Sequence, residues 1–406
     1  MVIPTYNRAE FLRMGLLGLS RQSIPNEQFE VIVADDGSSD GTAEVVASFA
    51  DSLRLTYYFQ EDKGFRVAKA RNEGARLAEG SILIFLDTGT LVGPDFVRHH
   101  LEAYADESSR QAVIGYAYAY RPEDPTPDLA ETVSRLRPEE VVEHYGDDPQ
   151  FRDIRHDAFT DCGFEPDRRA VPWILYWGTN CSVRAKDFWA VGGFDEDFCH
   201  WGVEDMEFGL RLHRAGVSLL ALRQAWAIEG PHERDMADHM ATNKINALLL
   251  LEKYPEPLCE IGWSLIMKDL LWPWEEEYRA LDEWTAKAWD IPVAQEIAEA
   301  LADLPHGSRA AVFGCGSDVQ GLPPDTVLVD FDREVIDRIA AAGHHEDLHH
   351  AIGMRTLAAE ASVSRVVVTS RLRGVWNRWA REILTEAHRL GEDVRVTWPT
   401  SEEGRR

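Results

Sequence analysis

A chain of 406 residues exceeds what one hydrophobic core usually organises, so two domains or one domain with a substantial appendage are expected, and a lone small module is excluded. Hydrophobic residues make up 45% and charged residues 28%, with 13 Trp, 16 Phe and 11 Tyr, apolar mass enough to exclude a disordered or fibrous polymer. Seventy acidic residues against 42 basic ones give a formal charge of -28, which repels phosphate backbones and anionic bilayers, so neither nucleic acid nor a membrane is an expected partner.

The opening Met1 to Ile3 reads as a strand rather than a secretory leader. Asn7 and Glu10 have capping-box spacing ahead of Leu12, Leu16 and Leu19, which recur at helical intervals. A second strand, Phe29 to Ala34, runs into the turn Asp35-Asp36-Gly37-Ser38-Ser39-Asp40 and a helix through Val45, Val46 and Phe49. A third strand near Leu53 to Phe59, a helix from Arg66 to Ala78 and the apolar strand Ser81 to Leu86 follow. This alternation predicts a doubly wound α/β sheet with its ligand at the carboxyl ends of the strands.

Residues 121 to 172 are rich in Pro, Asp and Arg with weak periodicity and read as an excursion or lid. Regular structure resumes at Trp173 to Val183, and a helix is expected over Glu204 to Ala215. Residues 236 to 290 form a Trp- and Leu-rich helical stretch, whose longest purely apolar run, Ala247 to Leu251, is far short of the ~20 residues of a bilayer span. From 291 a second α/β pattern begins, with strands at Ala310 to Phe313, Val327 to Asp330, Val366 to Thr369 and Val394 to Trp398. The expected layout is therefore an α/β domain over 1–240, a helical connector over 241–290 and a small α/β module over 291–406. Five cysteines without a CxxC pair read as reduced thiols of a cytoplasmic protein.

Ile3-Pro4-Thr5-Tyr6-Asn7-Arg8, Val33-Ala34-Asp35-Asp36-Gly37-Ser38-Ser39-Asp40 and Ala70-Arg71-Asn72-Glu73-Gly74 resemble the nucleotide half of family 2 glycosyltransferases of the GT-A fold. Gly192-Gly193-Phe194-Asp195-Glu196-Asp197-Phe198 and Trp201-Gly202-Val203-Glu204-Asp205-Met206-Glu207-Phe208 resemble the acceptor half shared with galactosyltransferases and chondroitin-type polymerases. Each motif alone is weak, but their order over residues 1 to 240 is the family's.

The resemblance implies a UDP-sugar donor, with Asp36 contacting the uracil, Pro4 and Tyr6 lining the base and Arg66 near the nucleotide. On their own, Asp35 and Asp36 could equally build an Asx turn or cap the next helix, with Ser39 or Asp40 as the cap. The family's Asp-x-Asp is here Asp87-Thr88-Gly89, and glycine has no ligand atom. A divalent cation, Mn²⁺ or Mg²⁺, would be left with Asp87 and, as in related enzymes, a late histidine, His232. Its use is an open question at this stage, since basic residues could supply the same charge.

By the same resemblance Asp205 is the general base of an inverting transfer, Glu204 a hydrogen-bonding partner of donor or acceptor, and Trp201 a platform for the C–H face of a sugar. The competing reading is that both acids only stabilise a helix start. Glu207 is expected in solvent or paired with Arg211, and Asn180 on a sugar hydroxyl or in the sheet. The expected activity is hexose transfer from a UDP-sugar to a hydroxyl of a small metabolite, peptide or saccharide, with natural-product biosynthesis as the setting. The alternatives are a non-catalytic sugar-nucleotide-binding partner protein, or a methyltransferase carried by the tail. Val312-Phe313-Gly314-Cys315-Gly316 with Asp330 resembles the opening of a methyltransferase fold, though too few strands follow for a full substrate lobe. A degenerate module serving oligomerisation, for example as a homo-oligomer, or acceptor docking is preferred. The run His344-His345-Glu346-Asp347-Leu348-His349-His350 reads as a solvated turn more readily than as a metal site.

Overall fold

The computed structural model describes residues 1–121, 124–232, 236–323, 325–343 and 347–399. The chain divides into two compact units, Met1–Asn246 and Ala247–Arg406.

The first unit is built on eight strands: β1 (Val2–Thr5), β2 (Val31–Asp35), β3 (Leu55–Phe59), β4 (Ile82–Leu86), β5 (Thr90–Val92), β6 (Gln111–Tyr118), β7 (Asn180–Arg184) and β8 (Ser218–Glu229). Their order in the sheet is β3-β2-β1-β4-β7-β6-β8-β5. The nucleotide-half strands β1 to β4 run parallel, as the βα alternation requires; β1, β2 and β4 are apolar because both faces are covered, while β3 is a partly exposed edge strand. β7 runs antiparallel to both β4 and β6, and β5 antiparallel to β8, so the sheet is mixed rather than purely parallel. Helices α1 (Ala9–Leu19), α2 (Thr42–Ala47) and α3 (Val67–Leu77) cover the first half. Leu12, Leu16 and Leu19 pack with Val31, Val33, Ile84 and Leu86 in one core.

The capping box expected from Asn7 and Glu10 does not form. Asn7 instead accepts the Ser39 amide, and Arg8 is the residue ahead of α1. Neither Ser39 nor Asp40 is the cap of α2, whose N-cap is Gly41; Asp40 stands one residue ahead of it and accepts from Thr42 N and its hydroxyl. After α4 (Phe96–Glu102), the segment read as an irregular lid folds into α5 (Leu129–Arg135), α6 (Pro138–Tyr145) and α7 (His156–Asp161). One pair of its charges is fully buried: Asp153 and Arg155 form an ion pair with both side chains 0% exposed, and Arg155 also donates to Leu175 O and Gly115 O. Helices α8 (Ala185–Ala190), α9 (Glu204–Arg214) and α10 (Met236–Lys253) follow, the unit boundary falling within α10.

The second unit contains α11 (Pro257–Met267), α12 (Trp274–Ala288), α13 (Ala294–Leu301), β9 (Ala310–Phe313), β10 (Val327–Asp330), α14 (Arg333–Ala341), β11 (Leu348–His350), β12 (Arg365–Val368), α15 (Trp376–Leu390) and β13 (Asp393–Val396). Its five strands are all parallel in the order β11-β10-β9-β12-β13, a small Rossmann-like sheet. On α11, the buried Glu260 carboxylate accepts the amides of Ile352 (2.5 Å), Gly353 (3.0 Å), Met354 and Arg355 (2.8 Å). Among the described residues no helix is long and apolar enough to cross a membrane.

Candidate active site

A cavity of about 400 Å³ lies beyond the carboxyl ends of β1, β2 and β4, in the size range of small-molecule sites. Pro4, Tyr6, Asp36, Asp87, Trp201, Glu204 and His232 all line it, which brings seven of the sequence-selected residues to one cavity. Arg66 and Asp205 are not on its wall: Arg66 bonds Asp36, which is, and Asp205 follows the wall residue Glu204 in the chain.

At the first strand ends, Asp35 is committed to the turn, accepting Gly37 N at 3.1 Å, Ser38 N at 2.7 Å and the Tyr57 hydroxyl at 2.7 Å. Asp36 accepts Gln60 Nε2 at 2.6 Å and the Arg66 amide at 2.7 Å, with the Arg66 guanidinium 3.3 Å away. Burial raises the Asp36 carboxyl above its usual range, while the bonds from Gln60 and Arg66 oppose that rise. Tyr6, 47% exposed, donates to Asp62 at 2.9 Å.

Asp87 follows β4 and meets the buried guanidinium of Arg71 at 2.8 Å. Gly89, with φ +108°, accepts the Gly230 amide, and the pairing of Thr90 with Glu229 brings the Glu229 carboxylate to the cavity wall beside this turn. His232 donates from Nδ1 to Gly230 O at 2.8 Å, the second-sphere bond usual for a ligating imidazole. Glu229 lies 3.6 Å from the same ring. The chemistry of Asp87 and His232 thus fits a cation, but among the described residues no three His, Cys, Asp or Glu side chains group closely enough to enclose one. Other ligands, phosphate oxygens or water, would have to complete the sphere.

The carboxylate pair opens α9 from a strained turn. Gly202 has φ +91° and the buried Val203 φ +72°, a left-handed conformation rarely adopted by a β-branched residue and costing about 1–3 kcal/mol. The turn is held by Asn246, which donates to His200 O at 2.8 Å and Gly202 O at 2.6 Å, and by Asn243, whose Oδ1 would stand 2.3 Å from any Cβ at residue 202. Glu204 Oε1 pairs with Arg71 at 3.1 Å, whereas its buried Oε2 has no hydrogen-bond partner among the described residues. Burial, reinforced by the charge of Asp205 and opposed by Arg71, pushes the Glu204 carboxyl up to about 7. Asp205 Oδ2 accepts the Gly178 amide at 2.9 Å and Oδ1 its neighbour Met206 N at 2.7 Å; burial raises it too. Trp201 stacks on His239, ring centres 4.7 Å apart and planes 9° from parallel, and both line the cavity with Tyr120.

Arg8, Arg71, Tyr120, Glu229 and His239 are wall residues to which sequence reading gave no role. Arg71 carried a signal: a charge amid Ala68, Ala70, Gly74 and Ala75 on the buried side of its helix. Asn180 is in the sheet, donating to Tyr116 O and Ala225 O, and Glu207 is buried and paired with Arg211.

In the tail, Asp330 is bonded by Gly316 N at 2.9 Å and by the buried Arg371 at 3.0 and 3.1 Å, so its carboxylate is engaged by the chain's own arginine. His344, His345 and Glu346 lie outside the described residues, as does Glu233. His349 bonds Asp347.

Residues 1–164 match the model of "Glycosyl transferase family 2", and residues 160–233 that of "N-terminal domain of galactosyltransferase". The validoxylamine A glucosyltransferase of Streptomyces hygroscopicus subsp. jinggangensis is 41% identical over 402 residues, covering 97% of this chain and 95% of that protein. The chondroitin synthase of Escherichia coli is 30% identical over 264 residues, 63% of this chain and 38% of that one. Among solved structures, S. aureus TarS 1-349 in complex with UDP-GlcNAc gives a TM-score of 0.43 at 18% identity over 62% of this chain and 65% of that chain.

Proposed function

Because this chain belongs to glycosyltransferase family 2 and is by that membership a sugar-transferring enzyme, we propose that it moves a hexose from a UDP-sugar to a hydroxyl of a small polyhydroxylated metabolite, with inversion. The observation that carries this reading is the Glu204–Asp205 pair presented, through the strained Gly202–Val203 turn, beside a cavity at the ends of β1, β2 and β4. Pure binding of a sugar nucleotide requires no such buried pair, which is costly to maintain without a use. The near full-length kinship with enzymes named for glucosyl transfer to validoxylamine A supports a small-metabolite acceptor and makes UDP-glucose the first donor to test.

Tyr6 and Pro4 would flank the uracil, Asp36 would accept from its edge and Arg66 would hold Asp36 in place. Trp201, backed by His239, would carry the C–H face of the acceptor ring. A carboxylate takes the acceptor's hydroxyl proton as its oxygen bonds the anomeric carbon, and the bond from that carbon to the diphosphate oxygen breaks on the opposite face. The proton ends on the carboxylate and the electron pair on UDP. A divalent cation bound by Asp87 and His232 would neutralise charge on the departing diphosphate.

Asp205 is proposed as the base, with Glu204 bonding acceptor or donor hydroxyls. A second reading gives the proton transfer to Glu204, favoured by its unpartnered Oε2 and its place on the cavity wall. The test is a screen of nucleotide sugars for UDP release, with and without cyclitol or saccharide acceptors and with Mn²⁺ or Mg²⁺ added. Acceptor-dependent release is expected from at least one donor; release from none of the donors, with either metal present, would remove the transferase reading.

A further inference from the structure

Arg71 is rooted in the nucleotide half, on α3, yet its guanidinium ends between carboxylates from both halves. Nη2 is 2.8 Å from Asp87 Oδ1, at the end of β4, and Nη1 is 3.1 Å from Glu204 Oε1, at the start of α9. The side chain is 3% exposed, and its guanidinium lies 5.1 Å from the centre of the Phe194 ring. Room for it depends on Gly178: a Cβ there would stand 2.4 Å from Nη2 and 2.5 Å from Cζ. The same glycine donates its amide to Asp205, so one residue accommodates the cation and orients the second acid. A guanidinium presents separate N–H groups in a rigid plane and can serve two carboxylates at once, which a lysine ammonium does with less geometric control.

We propose that Arg71 is a positioning residue of the transfer reaction, spanning Asp87 on the donor side and Glu204 on the acceptor side so that the carboxylate pair keeps one place and one charge relative to the donor. The proposal rests on the transferase reading above and names the residue that holds that reading's acid pair. The titratable and charged groups around Glu204 among the described residues include Asp205 and Glu207 on its own helix, Arg71 from α3, Asp87 after β4, Cys181 within β7, and Tyr6, Arg8, Asp36, Tyr120, Glu229, His232 and His239 on the same cavity wall. Glu207 is neutralised by Arg211. Among the described residues the direct ion pair of Glu204 is with Arg71, so removing that arginine leaves the buried Glu204 and its partly buried neighbour Asp205 to repel each other.

The full chain is compared with its Arg71→Met, Arg71→Lys and Glu204→Gln variants. Turnover and UDP affinity are measured from about pH 5 to about pH 9, alongside an infrared titration of the protonated-carboxyl band that Glu204→Gln abolishes. Arg71→Met is expected to lower kcat about 10²-fold while UDP affinity changes by less than about threefold, and to move both the acid limb and the infrared midpoint to higher pH. Arg71→Lys should restore part of the turnover and a midpoint nearer wild type. A folded Arg71→Met protein with the wild-type acid limb and infrared midpoint overturns the role, however far its kcat falls. Should that variant not fold, an unchanged midpoint together with wild-type turnover in Arg71→Lys overturns it equally. The infrared arm is independent of turnover, so absence of UDP release by wild type strikes the transferase reading, whereas an unmoved band strikes the role of Arg71.

Discussion

The Gly178 amide donates to the Asp205 carboxylate across 2.9 Å, joining the segment ahead of β7 to the first turn of α9. No side chain can be added at this glycine without displacing the guanidinium of Arg71. Gly178→Ala is therefore expected to lower kcat by at least about tenfold and to destabilise the first unit by about 1–3 kcal/mol, the usual cost of overpacking. Steady-state kinetics with a thermal melt checks both; a melt and turnover equal to wild type would show that the cluster repacks freely.

Asp205→Asn removes the proposed base and keeps the shape, so turnover should fall about 10² to 10⁴-fold with UDP affinity nearly unchanged. Glu204→Gln should raise acceptor KM if Glu204 only bonds hydroxyls, and should instead match the loss in Asp205→Asn if its unpartnered oxygen takes the proton. Since the ionised pair is the working form and Glu204 is pushed up to about 7, kcat should climb as pH rises through that value. A flat acid limb in wild type would contradict this.

His232→Ala should raise the Mn²⁺ concentration for half-maximal activity about tenfold or more, the usual effect of losing one ligand or its orientation. Glu229→Gln, beside the same ring, is expected to change that requirement less. Metal titrations of UDP release distinguish the two, and an unchanged requirement in His232→Ala would take the imidazole out of the site.

The Glu260 carboxylate in its nest of amides should mark the stability of the second unit. Burial pushes its carboxyl up to about 7, above the ordinary 4.5, so the folded state holds the proton more tightly than the unfolded chain. Its contribution is fully present below about pH 4.5 and is lost as pH rises through about 7, a swing on the order of 3 kcal/mol. Glu260→Gln should flatten that slope in denaturant titrations, and Glu260→Ala should destabilise by at least about 3 kcal/mol by leaving buried amides without an acceptor.

Arg371 engages both oxygens of Asp330. The full chain is accordingly expected to give no heat of binding with S-adenosylmethionine, and Arg371→Ala to destabilise by about 3–5 kcal/mol through an uncompensated buried charge. Saturable binding of that cofactor by wild type would revive the methyltransferase alternative.

The residues legible in sequence are those whose chemistry is written in consecutive positions at a strand end or helix start: Pro4 late in β1 and Tyr6 just after it, Asp36 after β2, Asp87 after β4, Glu204 and Asp205 opening α9. Arg71 and Glu229 act through neighbours that only folding supplies. Arg71 meets Glu204 across 133 positions, and Glu229 reaches the cavity because β8 pairs with β5. The helices between 121 and 172 were hidden for a related reason. Their Asp and Arg look like solvent residues until Asp153 and Arg155 are seen to neutralise each other inside. The Asn7 and Glu10 spacing misled because Asn7 is spent on Ser39, a bond no local pattern records.

Asn72, next to Arg71, receives the Phe194 amide at 2.9 Å and donates to the Phe194 carbonyl at 2.8 Å. Both partners are main-chain atoms, and what this junction asks of residue 194 is an apolar ring, since Phe194 is buried against Phe85, Phe188 and Phe208 and beneath the Arg71 guanidinium. The Arg71 junction, by contrast, demands a carboxylate at 204. A chimaera that grafts a relative's acceptor half onto this nucleotide half will thus assemble a working seam only where the graft brings both a ring at 194 and an acid at 204 to meet the arginine.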